Sequence, residues 1–225
     1  MNVSEAFRSL SSVPPLLRTI ETIPDSASPS ELVDISLECP AIRSQQIRSE
    51  FIELAEMVKE QHCKYILEIG TYRGGTLFVF SQLAAPGATV ISLDYHFTFL
   101  GKVFGALQKP LLRKFVRNGK SLFLLRKDSH KPETLTIIRN IMQGHELDFL
   151  FIDGDHTYEG VREDFNMYSP LVRTGGLIAF HDIAQSGGSR EVHRLWEELK
   201  PKYEHEEFIH KTGSGAMGIG VLRTN

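Results

Sequence analysis

Downstream of residue 64, the sequence alternates short apolar runs with longer segments whose apolar side chains recur at helical spacing. Each short run is apolar throughout rather than at every second position, which is typical of strands buried on both faces. The five runs are Tyr65–Ile69, Thr89–Leu93, Leu122–Leu125, Leu147–Ile152 and Leu177–Phe180. The helix-like segments are Thr76–Ala84, Lys131–Met142, Tyr158–Leu171 and Arg190–Leu199. This alternation predicts an α/β fold with a parallel sheet and helices on both of its faces.

Two apolar stretches near the end of the chain, Phe208-Ile209 and Gly218–Leu222, predict two more strands. We expect them to form an antiparallel hairpin at the sheet edge. The complete expectation is a doubly wound, mostly parallel, seven-stranded sheet of the Rossmann-like type.

The first 62 residues lack this alternation, and we expect residues 1–62 to form an N-terminal helical extension before an α/β domain of residues 63–225. Ser44–His62 carries an apolar stripe at helical spacing, which predicts one amphipathic helix. Apolar residues between positions 10 and 20 share a helical face, but Pro14-Pro15 predicts an interruption there. The stretch Pro24–Ser30 is rich in Pro and Ser and predicts a loop.

Composition adds few constraints. A net charge of −3 gives no reason to expect a nucleic-acid partner. Cys39 and Cys63 have neither metal-ligand nor redox-motif spacing, so we expect a protein of the reducing cytoplasm. No segment approaches the roughly 18 consecutive apolar residues of a membrane span.

A glycine-rich turn follows the first predicted strand and opens a helix, which is typical of a nucleotide site. Tyr72 stands where a dinucleotide-binding loop would have its middle glycine, and this disfavours NAD. Glu68 would repel a diphosphate but can attract an ammonium group, and Asp94 ends the second strand, where an acid can bind ribose hydroxyls. These residues favour a sulfonium nucleoside; the alternative is a turn in which Glu68 only caps the helix.

Acidic and imidazole side chains follow strands four and five, as Asp153, Asp155 and His156 and then as His181-Asp182. Because parallel strands deliver their carboxyl ends to one crevice, we expect these side chains to converge. They predict a divalent-cation site and an imidazole base, His156, that removes a proton from a substrate hydroxyl. The alternatives are that Asp155 and His156 cap the next helix and that His181 is a hydrogen-bonded strand-end residue.

The motifs LEIGTYRGGT, ISLD, KDSH, DFLFIDGDHTYEGVREDF and GGLIAFHDI together resemble class I S-adenosylmethionine-dependent methyltransferases. They are most similar to the branch of catechol O-methyltransferase-like enzymes and small bacterial tailoring methyltransferases. The resemblance covers about Tyr65–Leu222 and implies O-methylation of a small hydroxylated acceptor such as a sugar, a phenol or a natural product.

The resemblance also implies functional residues. The cofactor-binding set would be Glu68, Gly70, Thr71, Tyr72, Gly74, Thr76, Asp94, Tyr95, Asp128, Ser129, His130 and Asp153. Asp153, His181 and Asp182 would hold Mg²⁺ or another divalent cation, and Asp153 and His156 would be catalytic. The His181-Asp182 pair departs from the acid–amide pair of the catechol type, and His156 replaces a lysine base.

The segment from Tyr95 to Lys127 contains eight Lys or Arg residues and no Asp or Glu. It is open to three interpretations. It is a helix packed on the sheet or on a second subunit of a homodimer, a lid whose His96, Phe97 and Phe99 touch substrate, or a surface that meets an anionic partner such as a membrane headgroup layer.

Two other functions stay open at this point. A NAD(P)-dependent oxidoreductase would share the sheet and Asp94, although it would need a tighter glycine loop. A non-catalytic cofactor-binding protein would leave the acids after strands four and five unexplained, because unneeded buried charge is costly. The sequence does not identify the acceptor.

Overall fold

The computed structural model describes residues 8–9, 11–95, 108–185, 191–210 and 217–225. Its centre is a seven-stranded sheet of order β3-β2-β1-β4-β5-β7-β6. The strands are β1 Tyr65–Ile69, β2 Thr89–Asp94, β3 Ser121–Arg126, β4 Leu147–Ile152, β5 Val172–His181, β6 Glu204–Phe208 and β7 Ile219–Arg223. Strands β1 to β5 are parallel, and β7 runs antiparallel to both β5 and β6. The predicted sheet and its antiparallel hairpin are confirmed.

Helices cover both faces of the sheet. They are α1 Val13–Thr22, α2 Pro29–Glu38, α3 Arg48–Glu60, α4 Gly75–Leu83, α5 Pro132–Met142, α6 Tyr158–Tyr168 and α7 Val192–Leu199. On one face, α1 to α4 pack against strand residues that include Ile66 and Phe149. On the other face, α5 to α7 pack against the alternate positions, among them Leu67 and Leu150. The alternation of side chains along each strand thus divides the apolar runs between two cores, as the doubly wound prediction requires.

The N-terminal region is more helical than the sequence predicts. The predicted interruption at Pro14-Pro15 is wrong, because both prolines lie in the first turn of α1, where a missing N–H costs little. The loop predicted for Pro24–Ser30 ends early, since α2 begins at Pro29. Ser28 and Glu31 form a reciprocal capping box at this start, a signal that the Pro- and Ser-rich composition obscured.

Helices α1 to α3 share a core with the sheet. Buried Leu16, Val33 and Phe51 of the extension belong to the same apolar cluster as Ile66 and Val90 of β1 and β2. The division at residue 62/63 stays a prediction, and the packing across it is continuous.

The structure describes Tyr95 and residues 108–127 of the basic segment. The candidate lid residues His96, Phe97 and Phe99 lie outside the described residues. Leu112 and Phe115 are buried in the core beside α4. Arg117 pairs with Asp25, and the Lys120 ammonium donates to two backbone carbonyl groups at the end of α4. This packing agrees with the first interpretation of the segment, and the lid and the anionic surface stay predictions. Within the described part of the chain, no helix has the length and apolar character needed to cross a bilayer.

Candidate active site

A cavity of about 730 Å³ opens at the carboxyl ends of the parallel strands. It has two ends. The glycine-loop end consists of Gly70–Thr76, Asp94 and Asp128–His130, and the acid–histidine end consists of Asp153, His156, His181 and Asp182. Of the predicted site residues, the cavity is lined by Gly70, Thr71, Tyr72, Thr76, Asp94, Tyr95, Asp128, Ser129, His130, Asp153, His156, His181 and Asp182. Glu68 and Gly74 lie behind this lining.

The glycine loop passes very close to the end of β4. Gly70 has a φ of +91°, and a Cβ atom placed on it would lie 2.0 Å from the Asp153 carbonyl oxygen. Only glycine satisfies both the backbone conformation and this approach. The two strand ends are also tied by the Asp153 N–H, which donates to the Ile69 carbonyl at 2.8 Å. The loop and the first acid of the acid–histidine end are therefore in direct contact.

Glu68 is fully buried beneath the loop. Burial raises the pKa of Glu68 to about 8, against the opposing effect of the Thr76 and Thr71 hydroxyls. Among the described residues, neither carboxylate oxygen of Glu68 has a hydrogen-bond donor in good geometry. A buried carboxylate without such donors is costly to the folded state, so a donor from outside the described residues would stabilise the charged form of Glu68.

The carboxylate of Asp94 is held by a residue that the sequence analysis did not single out. Arg126, at the end of β3, places Nη1 3.3 Å from Asp94 Oδ2. Residues 94 and 126 are paired in register on adjacent parallel strands. Burial lowers the pKa of Arg126, while Asp94 and Glu68 favour its charged form. The strand ends thus form a small buried charge network below the glycine-loop end.

His130 also depends on a residue that the sequence analysis missed. Its Nε2 lies 3.3 Å from Oδ1 of Asp164, a fully buried residue of α6. The Asp164 carboxylate raises the pKa of His130 to about 9, against the effect of burial. The Tyr168 hydroxyl, one helical turn further on, donates to the Ser129 carbonyl at 2.6 Å. Helix α6 therefore fixes the Ser129-His130 segment from behind.

The acid–histidine end brings together the side chains that were expected to converge. His181 Nδ1 lies 3.1 Å from Asp153 Oδ1 and 3.6 Å from Asp182 Oδ2. His156 Nε2 lies 3.3 Å from Asp182 Oδ2 and 3.9 Å from Asp153 Oδ1. Burial alone would lower the pKa of His181, but the neighbouring carboxylates outweigh it and the pKa is raised. Asp155 lines the cavity too, and its carboxylate accepts the Thr157 N–H. The N-cap of α6 is Thr157, whose hydroxyl accepts the Gly160 N–H, rather than Asp155 or His156 as in the capping alternative.

The two imidazoles differ in access. The side chain of His156 is 31% exposed, whereas that of His181 is 4% exposed. His156 can therefore meet a substrate in the cavity, and His181 is confined among the acids. Asp182 adopts a φ of +63°, a conformation that is uncommon for a residue other than glycine and typical of functional turns.

The geometry of the acid–histidine end fits a divalent cation. One ligand atom each from Asp153, His181 and Asp182 lies within 4.8 Å of the other two. Carboxylate oxygens and one imidazole nitrogen are a donor set used for Mg²⁺, Mn²⁺ and other first-row divalent ions.

The N-terminal extension also contributes to this end. Gln46, just before α3, donates from Nε2 to Asp153 Oδ2 at 2.8 Å. The two residues are 107 positions apart. Since only tertiary packing brings them together, no local pattern in the sequence indicates this contact.

A methyltransferase-domain family matches residues 67–183, more than half of the chain. The uncharacterized protein R132 of Acanthamoeba polyphaga mimivirus is 31% identical over 139 residues, which are 62% of this chain and 60% of that protein. The uncharacterized protein y4gI of Sinorhizobium fredii is 26% identical over 163 residues, 69% of this chain and 17% of that protein. The alignments thus span less than two thirds of these relatives' lengths.

Solved structures share the fold. An O-methyltransferase from Bacillus cereus, in complex with S-adenosylhomocysteine (SAH), has a TM-score of 0.63 and 18% identity over 92% of this chain and 94% of that one. The MycE methyltransferase of the mycinamycin biosynthetic pathway, in complex with Mg, SAH and mycinamycin VI, has a TM-score of 0.57 and 16% identity over 88% of this chain and 54% of that one.

Proposed function

This chain belongs to the methyltransferase-domain family, and we propose that it transfers the methyl group of S-adenosylmethionine to an oxygen of a small hydroxylated acceptor. The observation that carries the proposal is a cavity in which a nucleotide-type glycine loop directly contacts an acid–imidazole cluster. One ligand is held at each end, and holding two reactants in line supplies a large part of the rate. The B. cereus and MycE structures, which contain SAH, support the choice of cofactor.

At the glycine-loop end, each side chain has a distinct task in the proposal. Glu68 attracts the ammonium group of the methionine part, directly or through water. Asp94, held by Arg126, binds the ribose hydroxyls, and Asp128, Ser129 and His130 lie beside the adenine. Gly70, Gly74, Thr71, Tyr72, Thr76 and Tyr95 shape the remaining wall. When bound, the cofactor supplies an electrophilic methyl group on a sulfonium.

At the acid–histidine end, His156 takes the proton from the acceptor hydroxyl on Nδ1, the ring nitrogen opposite the one that faces Asp182, and the oxygen would then form its new bond to the methyl carbon as the sulfur–carbon bond breaks. Asp182, 3.3 Å from Nε2, stabilises the resulting imidazolium. Asp153, His181 and Asp182 would hold Mg²⁺ or another divalent cation, which would acidify and orient a hydroxyl group. That the MycE structure contains Mg adds support from a protein of the same fold.

The rival functions explain less. A NAD(P)-dependent oxidoreductase leaves Tyr72 inside the loop and the buried acid Glu68 without a purpose. A non-catalytic cofactor-binding protein leaves Asp182 and His181 buried at a cost that no function offsets.

A thermal-shift screen with SAH, NAD⁺ and divalent cations separates these functions. We expect SAH to raise the Tm and NAD⁺ to leave it unchanged. A methyl-transfer assay with labelled cofactor, run across hydroxylated sugars and phenols, then identifies the acceptor class. Absence of SAH binding in calorimetry together with absence of turnover would overturn the proposal.

The metal and the base have their own tests. In equilibrium dialysis with Mn²⁺ we expect binding that Asp153→Ala abolishes, and unchanged binding in that variant would exclude the site. His156→Ala should lower turnover by about 10²–10⁴-fold, the usual contribution of a general base, with little effect on SAH affinity.

The proposal also includes a cytoplasmic location, a homodimer and contact with anionic lipid. The free cysteines Cys39 and Cys63 support a reducing cytoplasmic location. Homodimer formation is tested by light scattering. Contact of the 95–127 segment with anionic lipid is tested by liposome co-sedimentation, in which binding independent of lipid charge would argue against it.

A further inference from the structure

The contact between Gln46 and Asp153 connects the N-terminal extension to the proposed cation site. Gln46 lies outside residues 67–183, the part of the chain that matches the methyltransferase-domain family. Its side chain donates to the carboxylate of Asp153, which the proposed function assigns to the cation site. We propose that Gln46 is a positioning residue that holds Asp153 in the orientation needed to bind a divalent cation; this inference rests on the proposed function.

The orientation of the Gln46 amide is fixed by its neighbour. Its Oε1 accepts the backbone N–H of Gln45 at 3.1 Å, so the NH₂ group has to face the other way, toward Asp153. Gln46 is only 7% exposed, and water therefore competes little for this donor.

The two oxygens of Asp153 consequently have separate partners. Oδ2 accepts from Gln46 at 2.8 Å, while Oδ1 is the atom that faces His181 at 3.1 Å. An amide donor on Oδ2 prevents rotation of the carboxylate and leaves Oδ1 among the other candidate ligand atoms. Hydrogen bonds of this kind, from residues that do not touch the metal, orient the ligands that do.

The segment that carries Gln46 is rigidly seated. The Ser44 N–H donates to the Ser36 carbonyl at 3.0 Å, and the two serine hydroxyls lie 3.2 Å apart. Gly75, at the start of α4, lets the segment approach, because a Cβ there would lie 2.4 Å from the Ile42 carbonyl oxygen. A glutamine on a backbone segment held in this way can fix the position of the Asp153 carboxylate.

The test is Mn²⁺ affinity, measured on the full chain by calorimetry beside SAH affinity. Gln46→Met keeps an unbranched side chain of similar length and removes the donor. We expect it to weaken Mn²⁺ binding by about 10–100-fold, the usual cost of losing a partner of a metal ligand. SAH affinity should stay within about threefold (0.65 kcal/mol) of that of the unmodified chain. Gln46→Asn keeps the amide but is one methylene too short, so it should weaken Mn²⁺ binding in the same direction.

Gln45→Met is the matched control. Gln45 is the adjacent residue of the same type, and its exposed side chain makes no hydrogen bond with the described residues; we expect its Mn²⁺ affinity to stay within about twofold of that of the unmodified chain. Equal Mn²⁺ affinity in Gln46→Met and the unmodified chain would overturn the inference while leaving the methyltransferase proposal intact. SAH binding without any Mn²⁺ binding to the unmodified chain would overturn the inference and the cation site together. Absence of SAH binding to the unmodified chain would instead overturn the proposed function.

Discussion

The two ends of the cavity are built in different ways. The glycine-loop end takes its residues from the carboxyl ends of β1, β2 and β3 and from the turns that follow them, each as a short stretch of sequence. The acid–histidine end joins residues at and just after the ends of β4 and β5 to Gln46 of the extension, and Met217, next to β7, also lines the cavity. Local motifs thus supply the lining of the end that the proposal assigns to the cofactor, although α6 and the extension pack against it, and distant segments supply part of the lining of the end that it assigns to the acceptor.

The largest effect is expected at the contact between the two ends. Gly70→Ala forces a Cβ to within 2.0 Å of the Asp153 carbonyl oxygen and imposes a φ of +91° on alanine. The loop and the end of β4 have to move apart, so we expect no measurable SAH binding and a reduced Tm. Thermal unfolding and calorimetry with SAH check both effects.

Gly87→Ala is the control for this change. Gly87 has a φ of +74°, and a Cβ there would have nothing within 4 Å. It carries the same conformational penalty of about 1 kcal/mol but no collision, so SAH binding should be retained. If Gly70→Ala binds SAH as Gly87→Ala does, the close approach of the two ends has no role in cofactor binding.

The same contrast explains which features the sequence predicts. Strand and helix positions follow from apolar runs, and β1 and β4 begin and end at the predicted residues. The sequence predicts that the acids and histidines share one crevice, because the topology of a parallel sheet brings strand ends together. These inferences need only local pattern and the rules of one fold class.

The missed residues depend on contacts across the chain. Gln46 reaches Asp153 over 107 positions, and nothing around Gln46 distinguishes it from Gln45 in the sequence. The sequence around Asp164 predicts an ordinary exposed acid on an amphipathic helix, yet the residue is fully buried behind His130. Pattern analysis assigns polar residues to the surface by default, so buried polar partners are what it misses.

Substitution of Glu68 tests whether the glycine-loop end is arranged for a cationic ligand. Because its pKa of about 8 lies above the ordinary 4.5, the ligand-free fold loses stability as pH rises from 4.5 through 8. Glu68→Gln removes that cost and should raise the Tm of the ligand-free protein at pH 8.5 by about 10 °C. The same change should weaken SAH binding about tenfold at pH 8.5, because it removes the partner of the ammonium group.

The pH dependence of SAH affinity tests whether the ionised Glu68 carboxylate is the group that binds the ammonium. SAH affinity of the unmodified chain should increase from pH 6.5 to 8.5 as Glu68 ionises, and Glu68→Gln should abolish this increase. Glu56→Gln, an exposed change on α3, should preserve it. Unchanged SAH affinity in Glu68→Gln would mean that the buried acid serves the loop structure alone.

The smallest effect on ligand binding is expected at Glu50, where the extension contacts the C-terminal residues His210 and Gly218 beside the acid–histidine end. Glu50 of α3 is fully buried and accepts the His210 N–H at 2.8 Å and the Gly218 N–H at 3.1 Å. A glutamine has one acceptor oxygen, so Glu50→Gln sets its NH₂ against one of these two N–H groups. An unsatisfied buried donor costs about 1–3 kcal/mol, and the Tm should fall by about 3–10 °C.

Glu53→Gln, one turn along the same helix, alters an exposed pair with His210 and should change stability by no more than about 0.5 kcal/mol. SAH affinity in Glu50→Gln should stay within about twofold, because Glu50 supports Met217 and Gly218 rather than the glycine loop. A loss of SAH binding as large as that of Gly70→Ala would show that the extension and the tail support both ends of the cavity. The division between a locally built cofactor end and a peripherally built acceptor end would then fail.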